Sequence, residues 1–389
     1  MLPLFVVLVI AVALARAVVI VPGADWTDTD GNPIQGHGAG KFGEDKSLNS
    51  ILFHAISCYT STDLGTWTRQ NNALTPIAGT MISDENVVER PKVIFNTKNS
   101  EYVLWFHSDN SDYGAAMVGV ATASTPCTAY LLYASDNNQD FKISMLNADY
   151  LNVTEQIYYL IASHTTGWDP NPNKVFSATS LAGPWSAQVD IAPENVNTYN
   201  SQNAYDMLLG TSAIYMVSLP HELSVHYVWF PLSWSSSSGL PVIVPADVWD
   251  LNIAAGTYTV ETGTAYQAES GTLGGSAVIL TNSVYSNGEA VGFLGNGGTL
   301  TMKNIEGIGA DQWVALYYAN GDSTYRNTTI SVNGGANIVV QQPPSGGGQV
   351  IQSTPVQLNL KSGANTLVFS ADQSNFAGDL DRIIVYTAT

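Results

Sequence analysis

The sequence predicts an all-β protein with two domains, and three observations indicate this fold class. Short runs of Val, Ile, Tyr, Phe and Trp alternate along the chain with clusters of Gly, Asn, Asp, Ser and Pro. No segment of the sequence sustains the hydrophobic period of an amphipathic helix. The 389 residues, of which 45% are hydrophobic, suffice for two ordinary cores.

A change in composition places the domain boundary near residue 258. All six histidines and eight of the nine tryptophans precede this point, and the chain beyond it is richer in glycine and poor in basic residues. We therefore predict a first domain over residues 18–257 and a second over residues 258–389, after an N-terminal segment 1–17.

Weak repeats in the first domain favour a β-propeller. The segments that start at Tyr102, Tyr130 and Tyr158 recur every 28 residues, and a Trp turn occurs twice, as 63–67 and 181–185. Repeated strand sets with a Trp turn are typical of propeller blades, but a four-stranded blade needs about 40 residues. The spacing therefore predicts blades from which strands are missing.

The second domain is predicted to be a single β-sandwich. Its strand candidates are short, several alternate apolar and polar residues, and turns rich in Gly and Asn separate them. The candidates are 312–318, 329–332, 338–340, 356–360, 366–369 and 382–386.

Charge excludes one class of partner. The chain has 13 basic and 32 acidic residues, a net charge of −19 that repels a polyphosphate, so we expect no nucleic acid. Only 12% of residues are charged, and the surface is polar through hydroxyls and amides. The histidines show no metal-ligand spacing, so no catalytic metal is expected, and Cys58 and Cys127 form one disulfide or remain thiols.

The N-terminus is typical of a secretory signal peptide. An apolar run over residues 2–14 precedes Ala15-Arg16-Ala17, a small-x-small cleavage pattern. The run is too short to span a bilayer comfortably, and glycosylation sequons at Asn152 and Asn327 suit a secreted chain. We expect an extracellular, monomeric protein without membrane contact.

Several motifs of the first domain occur in one family and in the same order. They are 23–38 (Gly-Ala-Asp-Trp to Gly-His-Gly), 42–46 (Phe-Gly-Glu-Asp-Lys), 88–93 (Val-Glu-Arg-Pro-Lys-Val), 105–109 (Trp-Phe-His-Ser-Asp) and 199–203 (Tyr-Asn-Ser-Gln-Asn). This set closely resembles the fungal exo-β-1,3-galactanases of glycoside hydrolase family 43. The resemblance implies a five-bladed propeller that hydrolyses β-1,3-galactan, the backbone of arabinogalactan side chains, with inversion.

The second domain is similar to carbohydrate-binding modules of family 35, which are jelly-roll β-sandwiches. The motifs are 266–269 (Tyr-Gln-Ala-Glu), 290–295 (Ala-Val-Gly-Phe-Leu-Gly), 318–322 (Tyr-Ala-Asn-Gly-Asp) and 379–385 (Asp-Leu-Asp-Arg-Ile-Ile-Val). The resemblance implies a structural Ca²⁺ site at Gln267, Glu269 and Asp381, whose hard oxygen ligands suit this ion. It also implies a galactan site on the edge loops. Its residues would be Phe293, Asn320, Asp322, Asn375, Phe376 and Asp379.

The family resemblance assigns two residues to catalysis. Glycoside hydrolysis with inversion needs an acid at the leaving oxygen and a group that holds a water on the opposite face of the sugar. Gln202 matches the residue that orients this water, although an amide is too weak a base to take its proton. Glu89 matches a carboxylate that positions the acid and raises its pKa. A surface glutamine and a salt-bridged strand-end glutamate are the structural alternatives.

Five further residues are expected to bind the substrate near the centre of the propeller. Glu44 and Asp45 follow a Phe-Gly turn and would hydrogen-bond sugar hydroxyls, and His37 would line the same funnel or belong to a purely structural turn. Trp105 and His107 would stack on pyranose faces, although Trp105 would equally suit the space between blades.

The resemblance is interrupted at several points, which leaves the activity open. The family has further strands after Gly40 and after Cys127, and the sequence departs from the family between Met216 and Tyr227. Between Thr154 and Tyr158 the family carries the segment with the catalytic acid, and this chain lacks it. The gaps are natural deletions or the result of errors in exon assignment. Two functions follow: a galactanase, or a catalytically inactive galactan-binding protein.

Overall fold

The structure is a computed structural model in which two stretches of chain form separate groups of β-sheets. The residues that it describes are 17–34, 52–96, 99–123, 133–135, 140–142, 158–164, 166, 170–180, 182–209, 212–218 and 227–388.

The described residues of the first group contain seventeen strands, which follow one another along the chain. They are β1 (Val18–Ile20), β2 (Tyr59–Thr60), β3 (Thr68–Arg69), β4 (Val87–Asn96), β5 (Glu101–Asp109), β6 (Met117–Ala123), β7 (Tyr133–Ser135), β8 (Asp140–Lys142), β9 (Tyr158–Ala162), β10 (Lys174–Ala178), β11 (Val189–Asp190), β12 (Gln202–Leu209), β13 (Ser212–Ser218), β14 (Tyr227–Trp234), β15 (Pro241–Ile243), β16 (Trp249–Asn252) and β17 (Thr257–Val260).

These strands form small antiparallel sheets, as expected for propeller blades. The sheet orders are β2-β3, β4-β5-β6, β7-β8, β11-β10-β9 and β12-β13-β14-β15. The first strand, β1, pairs with β16 and shares a sheet with β17, so the beginning and the end of this part of the chain are joined. Such pairing of the two ends is how a ring of blades closes.

The sequence repeats correspond only in part to equivalent positions. Both Trp turns connect adjacent antiparallel strands, β2 to β3 and β10 to β11, as predicted. In contrast, the repeat at Tyr102 lies in the middle strand of its sheet, whereas the repeat at Tyr158 lies in β9, at the end of its described sheet. The repeated residues are buried or partly buried in both strands, so the pattern reports burial rather than place within a blade.

The packing of one blade is visible in β4, β5 and β6. Leu104 and Phe106 point to one face of β5 and pack in a buried cluster with Phe53. The ring of Phe106 lies directly over Gly119 of β6, where a Cβ would come within 2.0 Å of a ring carbon. A glycine is therefore required at this position, and the opposite face of β5 is left for polar residues.

The second group contains eleven strands, which form the predicted sandwich. They are β18 (Thr264–Gln267), β19 (Thr272–Gly274), β20 (Val278–Thr281), β21 (Glu289–Gly292), β22 (Thr299–Gly307), β23 (Ala310–Ala319), β24 (Arg326–Val332), β25 (Asn337–Gln342), β26 (Gln352–Leu360), β27 (Gly363–Ser370) and β28 (Asp379–Val385).

Two antiparallel sheets face each other across a single core. One has the order β20-β21-β28-β23-β26 with β18 on β28, and the other has the order β19-β22-β27-β24-β25. The inward side chains are buried, among them Leu358, Leu360, Leu367 and Phe369. Alternation predicted this pattern for β26, and the all-β prediction is confirmed for both parts of the chain.

Helical structure in the described residues is limited to single turns. The segments Glu194–Val196 and Ala268–Ser270 are 3₁₀ turns, and the segment Asn197–Asn200 is a turn with left-handed backbone angles. None of these is long and apolar enough to cross a membrane.

The change from one group of sheets to the other falls within a few residues. Strand β17 ends at Val260 in the first group, and β18 starts at Thr264 in the sandwich, whereas composition placed the boundary at 257/258. Strand β17 is too short and polar to reveal from sequence which sheet it joins.

The two parts of the chain contact each other around Asp247. Its Oδ2 accepts hydrogen bonds from the hydroxyls of Tyr317 and Tyr386, each at 2.7 Å, and its Oδ1 accepts one from Ser353 Oγ at 2.7 Å. Burial, followed by the charge of Asp247, raises the pKa of both tyrosines. The guanidinium of Arg382 lies 3.8 Å from the ring centroid of Tyr317, so a cation also supports the contact.

Replacing Asp247 tests whether this contact stabilises the protein. We expect Asp247→Asn to lower the melting temperature by about 2 to 6 °C, because three hydrogen bonds lose a charged acceptor. Thermal unfolding followed by circular dichroism measures the change. Asp311→Asn is the control, since Asp311 accepts one hydrogen bond, from Asn359, on the exposed surface of the sandwich. Equal melting temperatures for all three proteins would contradict the prediction.

Candidate functional site

A β-bulge in β4 places Glu89 on the polar face of its sheet. Glu89 pairs with His107, and the register then shifts so that Lys92 pairs with Trp105. Arg90 lies within the bulge with φ 50°, a left-handed conformation that is rare for a long side chain. Paired residues share a face, so Glu89, Trp105 and His107 are on the same side, opposite the apolar cluster. Glu89 is 4% exposed.

Tyr113, which no sequence motif marks, is a partner of Glu89. The Tyr113 hydroxyl donates a hydrogen bond of 2.7 Å to Glu89 Oε1. This fixes the orientation of the Glu89 carboxyl group. Tyr113 lies 24 residues from Glu89, in a turn between β5 and β6 that has no motif of its own, so only the tertiary structure reveals the pair.

Asp109 organises the turn that carries Tyr113. It is 1% exposed, and its Oδ1 accepts the backbone N–H groups of Asn110, Ala115 and Ala116 at 2.9, 2.7 and 3.1 Å. Its Oδ2 lies 3.0 Å from His107 Nε2. One buried carboxylate thus holds both the backbone of the turn and the imidazole, and it belongs to the Trp-Phe-His-Ser-Asp motif.

The His107 side chain packs against its neighbours and does not face a ligand alone. Its ring lies nearly parallel to that of Tyr113, with an interplanar angle of 19° and centroids 6.3 Å apart. Trp105 is on the same face and is half-buried. Glu89, Trp105, His107, Asp109 and Tyr113 therefore form one continuous polar and aromatic surface, which we call the Glu89 cluster.

Gln202 begins β12 directly after an unusual backbone turn. The four residues from Asn197 to Asn200 have φ values of 50°, 52°, 54° and 55°. Asparagine tolerates this left-handed region, but Thr198 is β-branched and Tyr199 is bulky, and each such residue costs of order 1–3 kcal/mol. We call residues 197–200 the left-handed turn. It lies immediately before Ser201 and Gln202, so its geometry sets the direction in which β12 begins.

Buried contacts hold the left-handed turn in place. Thr198 is 1% exposed, its Oγ1 accepts the backbone N–H of Asn173 at 2.8 Å, and its carbonyl accepts the hydroxyl of Ser201 at 2.5 Å. The ring of Tyr199 meets that of Phe230 edge-on, with centroids 5.2 Å apart. These contacts offset the cost of the strained backbone.

The sequence offers Glu155, beside the missing acid segment, and Glu194, before the Gln202 motif, but neither lies in a recognisable family context. The structure gives Glu194, and also Asp206 of β12, polar partners within the propeller. Lys174 Nζ donates to Glu194 Oε1 at 3.0 Å and also to Asp190, so Glu194 belongs to an ion-pair group. Both oxygens of Asp206 accept Asn203 Nδ2 at 3.1 Å.

Asp206 nonetheless has an unusual protonation behaviour. The surrounding protein atoms desolvate its carboxyl and raise the pKa of Asp206 to about 7, although its side chain keeps contact with solvent. A bulge follows Asn203, and the register places Asp206 on the face of β12 opposite Gln202. It therefore does not form an acid–amide pair with Gln202.

Three of the predicted substrate-binding residues lie outside the described residues. They are His37, Glu44 and Asp45. Glu155, which is next to the missing acid segment, is outside them as well.

In the sandwich, two phenylalanines form an exposed aromatic corner. The rings of Phe293 and Phe376 meet at 77° with centroids 5.1 Å apart. Phe293 has φ 60° and is 45% exposed, so the backbone turns its ring outward into solvent. An apolar ring held in water by a left-handed backbone is suited to stacking on a ligand.

Polar side chains lie beside this aromatic corner. Asp322 Oδ2 accepts Arg326 Nε at 2.8 Å and Nη2 at 2.7 Å, and Asn375 Nδ2 at 3.3 Å. Burial raises the pKa of Asp379, while Arg326 and a hydrogen bond with Tyr285 act in the opposite direction. We call Phe293, Asp322, Asn375, Phe376 and Asp379 the edge site.

Asn320 has a supporting role beneath the edge site. It is 0% exposed, and its Nδ2 donates to the carbonyls of Thr324 and Gln342 at 3.0 and 2.9 Å. Its Oδ1 accepts the backbone N–H of Asp322 at 3.1 Å. All of these hydrogen bonds of the Asn320 amide are made within the sandwich. Asn320 therefore positions Asp322 instead of making the expected contact with sugar.

The predicted cation ligands converge on one turn of the sandwich. Asp381 Oδ1 accepts the backbone N–H of Ser286 at 2.8 Å, and Ser286 Oγ lies 2.8 Å from Gln267 Oε1. Asn287 Nδ2 donates to Glu269 Oε1 at 2.8 Å, whereas Glu269 Oε2 is buried with no hydrogen-bond partner. A buried carboxylate oxygen without a partner is costly, so this atom fits a cation ligand.

The carboxylates of Glu269 and Asp381 do not by themselves provide enough ligands for a metal ion. Among the described residues, no group of three or more His, Cys, Asp or Glu side chains is arranged to hold a metal ion. A Ca²⁺ ion here needs amide or main-chain oxygens in addition to Glu269 and Asp381, which is common for this ion.

Comparisons with known proteins cover both parts of the chain. The family model described as CBM13-like, the CBM13 domain of alpha-galactosidase, matches residues 307–385. The crystal structure of an exo-β-1,3-galactanase from Phanerochaete chrysosporium with galactose is 57% identical, with a TM-score of 0.88, over 95% of this chain and 100% of that one. A variant of that enzyme with β-1,3-galactotriose gives the same identity and coverage and a TM-score of 0.87.

A more distant structure is similar in fold alone. An exo-β-1,3-galactanase from Clostridium thermocellum is 19% identical, over 94% of this chain and 99% of that one, with a TM-score of 0.53. Comparison with curated protein sequences finds no match.

Proposed function

This chain belongs to the exo-β-1,3-galactanases of glycoside hydrolase family 43, and on that premise we propose that it releases galactose from β-1,3-galactan with inversion. The membership confirms the resemblance seen in the motifs, and the chain combines a glycoside hydrolase propeller with a carbohydrate-binding sandwich. The observation that carries the proposal is the 57% identity, along the whole length of the solved enzyme, to a galactanase that holds galactose.

The Glu89 cluster suits the part of the mechanism assigned to it. An inverting glycosidase keeps its acid protonated until the leaving oxygen takes the proton, and a neighbouring carboxylate raises the pKa of that acid. Glu89 is buried and accepts the Tyr113 hydroxyl, so its carboxyl group is held in one position. Its role in the proposal is electrostatic, and it does not itself transfer the proton.

Gln202 has the complementary role in the proposal. A water on the far face of the sugar must be held in line with the bond that breaks, and an amide both donates and accepts hydrogen bonds. Gln202 is half-buried at the start of β12, so a rigid strand carries it. The amide orients the water, and it contributes little as a base.

Substrate, location and partners complete the proposal. The polymer is a β-1,3-galactan of the arabinogalactan type, which is uncharged along its backbone and suits a chain in which only 12% of residues are charged. The apolar N-terminal run supports secretion, and the enzyme acts as a monomer outside the cell.

An inactive galactan-binding protein is the second candidate. The observation that favours it is the absence, between Thr154 and Tyr158, of the segment that holds the catalytic acid in the family. The environments of Glu194 and Asp206 do not supply a replacement. Loss of a general acid typically reduces the rate by two to four orders of magnitude.

Galactose release tests the first function directly. We expect the purified full chain to release free galactose from β-1,3-galactan, measured by anion-exchange chromatography. Tyr113→Phe should reduce kcat about tenfold, because a hydrogen bond to a charged group contributes about 1.5–3 kcal/mol. Tyr102→Phe is the matched control in the same blade and should retain the activity of the unmodified chain.

The result also decides between the two functions. Folded protein that releases no galactose but is retained on galactan contradicts the hydrolase and supports the binding protein. If galactose is released, Glu155→Gln tests whether Glu155 is the acid, since its loss would then abolish release.

Stacking on the aromatic corner makes a separate prediction for the sandwich. We expect Phe293→Ala to weaken retention on β-1,3-galactan about 5–30-fold, which corresponds to about 1–2 kcal/mol for a truncated aromatic contact. Affinity electrophoresis in galactan gels measures the change. Ile308→Ala is the control, because Ile308 is 50% exposed but lies beyond the opposite end of β22, and its loss should leave retention unchanged.

We extend the proposal to a structural Ca²⁺ ion in the sandwich. Gln267, Glu269 and Asp381 would hold it, and the ion would neutralise the buried Glu269 oxygen that has no partner. Gln267 lies near the beginning of the sandwich and Asp381 near its end, so a shared ion would join the two ends of this domain.

Removal of calcium tests this site through stability. We expect chelation by EDTA to lower the melting temperature of the full chain by several degrees and added Ca²⁺ to restore it, because a ligand that binds only the folded state stabilises it. Glu269→Gln should abolish this dependence, whereas Glu306→Gln, on β22, should retain it. Equal unfolding curves of the unmodified chain with EDTA and with Ca²⁺ contradict the proposal.

A further inference from the structure

The left-handed turn before Gln202 is held from two sides, and one of these sides is the sandwich. Its contacts within the propeller involve Thr198 and Tyr199, as described above. Asn200, the last residue of the turn, has a different partner: its Nδ2 donates to the carbonyl of Pro344 at 2.8 Å, across 144 residues of sequence. Nearby, Gln352 Nε2 donates to the carbonyl of Val196 at 3.5 Å.

The acceptor loop of the sandwich is itself rigid. Ser345 follows Pro344 and is 0% exposed, its backbone N–H donates to the carbonyl of Asn320 at 2.9 Å, and its hydroxyl contacts the same residue. Asn320 in turn holds Asp322 in the edge site. The carbonyl that Asn200 meets is therefore fixed in space by buried hydrogen bonds.

We infer that Asn200 is a positioning residue for Gln202, and that the sandwich thereby forms part of the hydrolase site. Two features lead to this. The turn adopts a backbone conformation that Thr198 and Tyr199 disfavour, so it persists only where its surroundings impose it. The single residue between Asn200 and Gln202 is Ser201, which is 0% exposed, so a shift of the turn is transmitted to the start of β12. The inference rests on the proposed hydrolase function and on the role of Gln202 in it.

The variant Asn200→Gly tests this inference without adding strain. Glycine adopts the left-handed conformation readily, so the backbone of the turn remains allowed while the hydrogen bond to Pro344 is lost. Asn200→Asp is a second variant, since aspartate also tolerates this conformation but has no N–H to donate. Asp247→Asn is the matched control, because it weakens the contact between the two parts of the chain at a point away from the turn.

We expect both Asn200 variants to reduce kcat on β-1,3-galactotriose about tenfold, with KM changed less than about twofold, because a misplaced group affects the reaction more than binding. Asp247→Asn should retain kcat within about twofold despite its lower melting temperature. Hydrogen–deuterium exchange of the backbone amides over residues 201–209 should increase in the Asn200 variants and not in Asp247→Asn.

The exchange measurement separates failure of this inference from failure of the proposed function. If the unmodified chain releases no galactose, the proposed function fails. Faster exchange in the Asn200 variants would still show that the contact with the sandwich stabilises the left-handed turn. Unchanged exchange together with unchanged kcat overturns the inference. An equal loss of kcat in Asp247→Asn also overturns it, because general loosening of the sandwich would then explain the effect.

Discussion

The contact between the propeller and the sandwich is the constraint on which the remaining structure depends. At its centre, Asp247 accepts three hydroxyl groups of the sandwich, and Val21 and Val248 of the propeller pack against Ala315 and Tyr386. The interface combines the half-buried carboxyl group of Asp247 with apolar packing. It therefore resists both rotation and separation of the propeller and the sandwich. Strand β1 lies beside Val21 and pairs with β16, which links closure of the propeller to the same interface.

The sequence predicted strands better than their arrangement. In β26 the alternation of Val356, Leu358 and Leu360 with polar residues matches the observed burial, because a sheet with one buried face requires a period of two. The 28-residue repeat predicted blades, and in the described residues β5 has two neighbouring strands whereas β9 has one. Place within a sheet depends on hydrogen bonds between distant segments, and the residue types of a single strand do not encode these.

The same limit applies to the site. The motif at Glu89 was visible because its residues are adjacent in sequence, and the structure buries the Glu89 side chain. Tyr113 was missed because its link to Glu89 depends on a turn that Asp109 folds through backbone hydrogen bonds. Asn320 was assigned to the sugar because its motif lies in an edge loop, whereas its amide is used entirely within that loop. Sequence motifs locate a loop, but they do not show which side chains face outward.

The described carboxylates of the propeller also limit where a proton donor can be. Glu89 accepts a tyrosine hydroxyl, Asp109 accepts three backbone amides, and Glu194 is held by Lys174, so each carboxyl group already has partners within the propeller. Burial raises the pKa of Asp206 to about 7, but Asp206 lies on the face of β12 opposite Gln202. A general acid must be neutral before it reacts and must face the sugar. If the chain is a hydrolase, its acid therefore comes from outside this group, and Glu155 is the carboxylate nearest in sequence to where the family carries it.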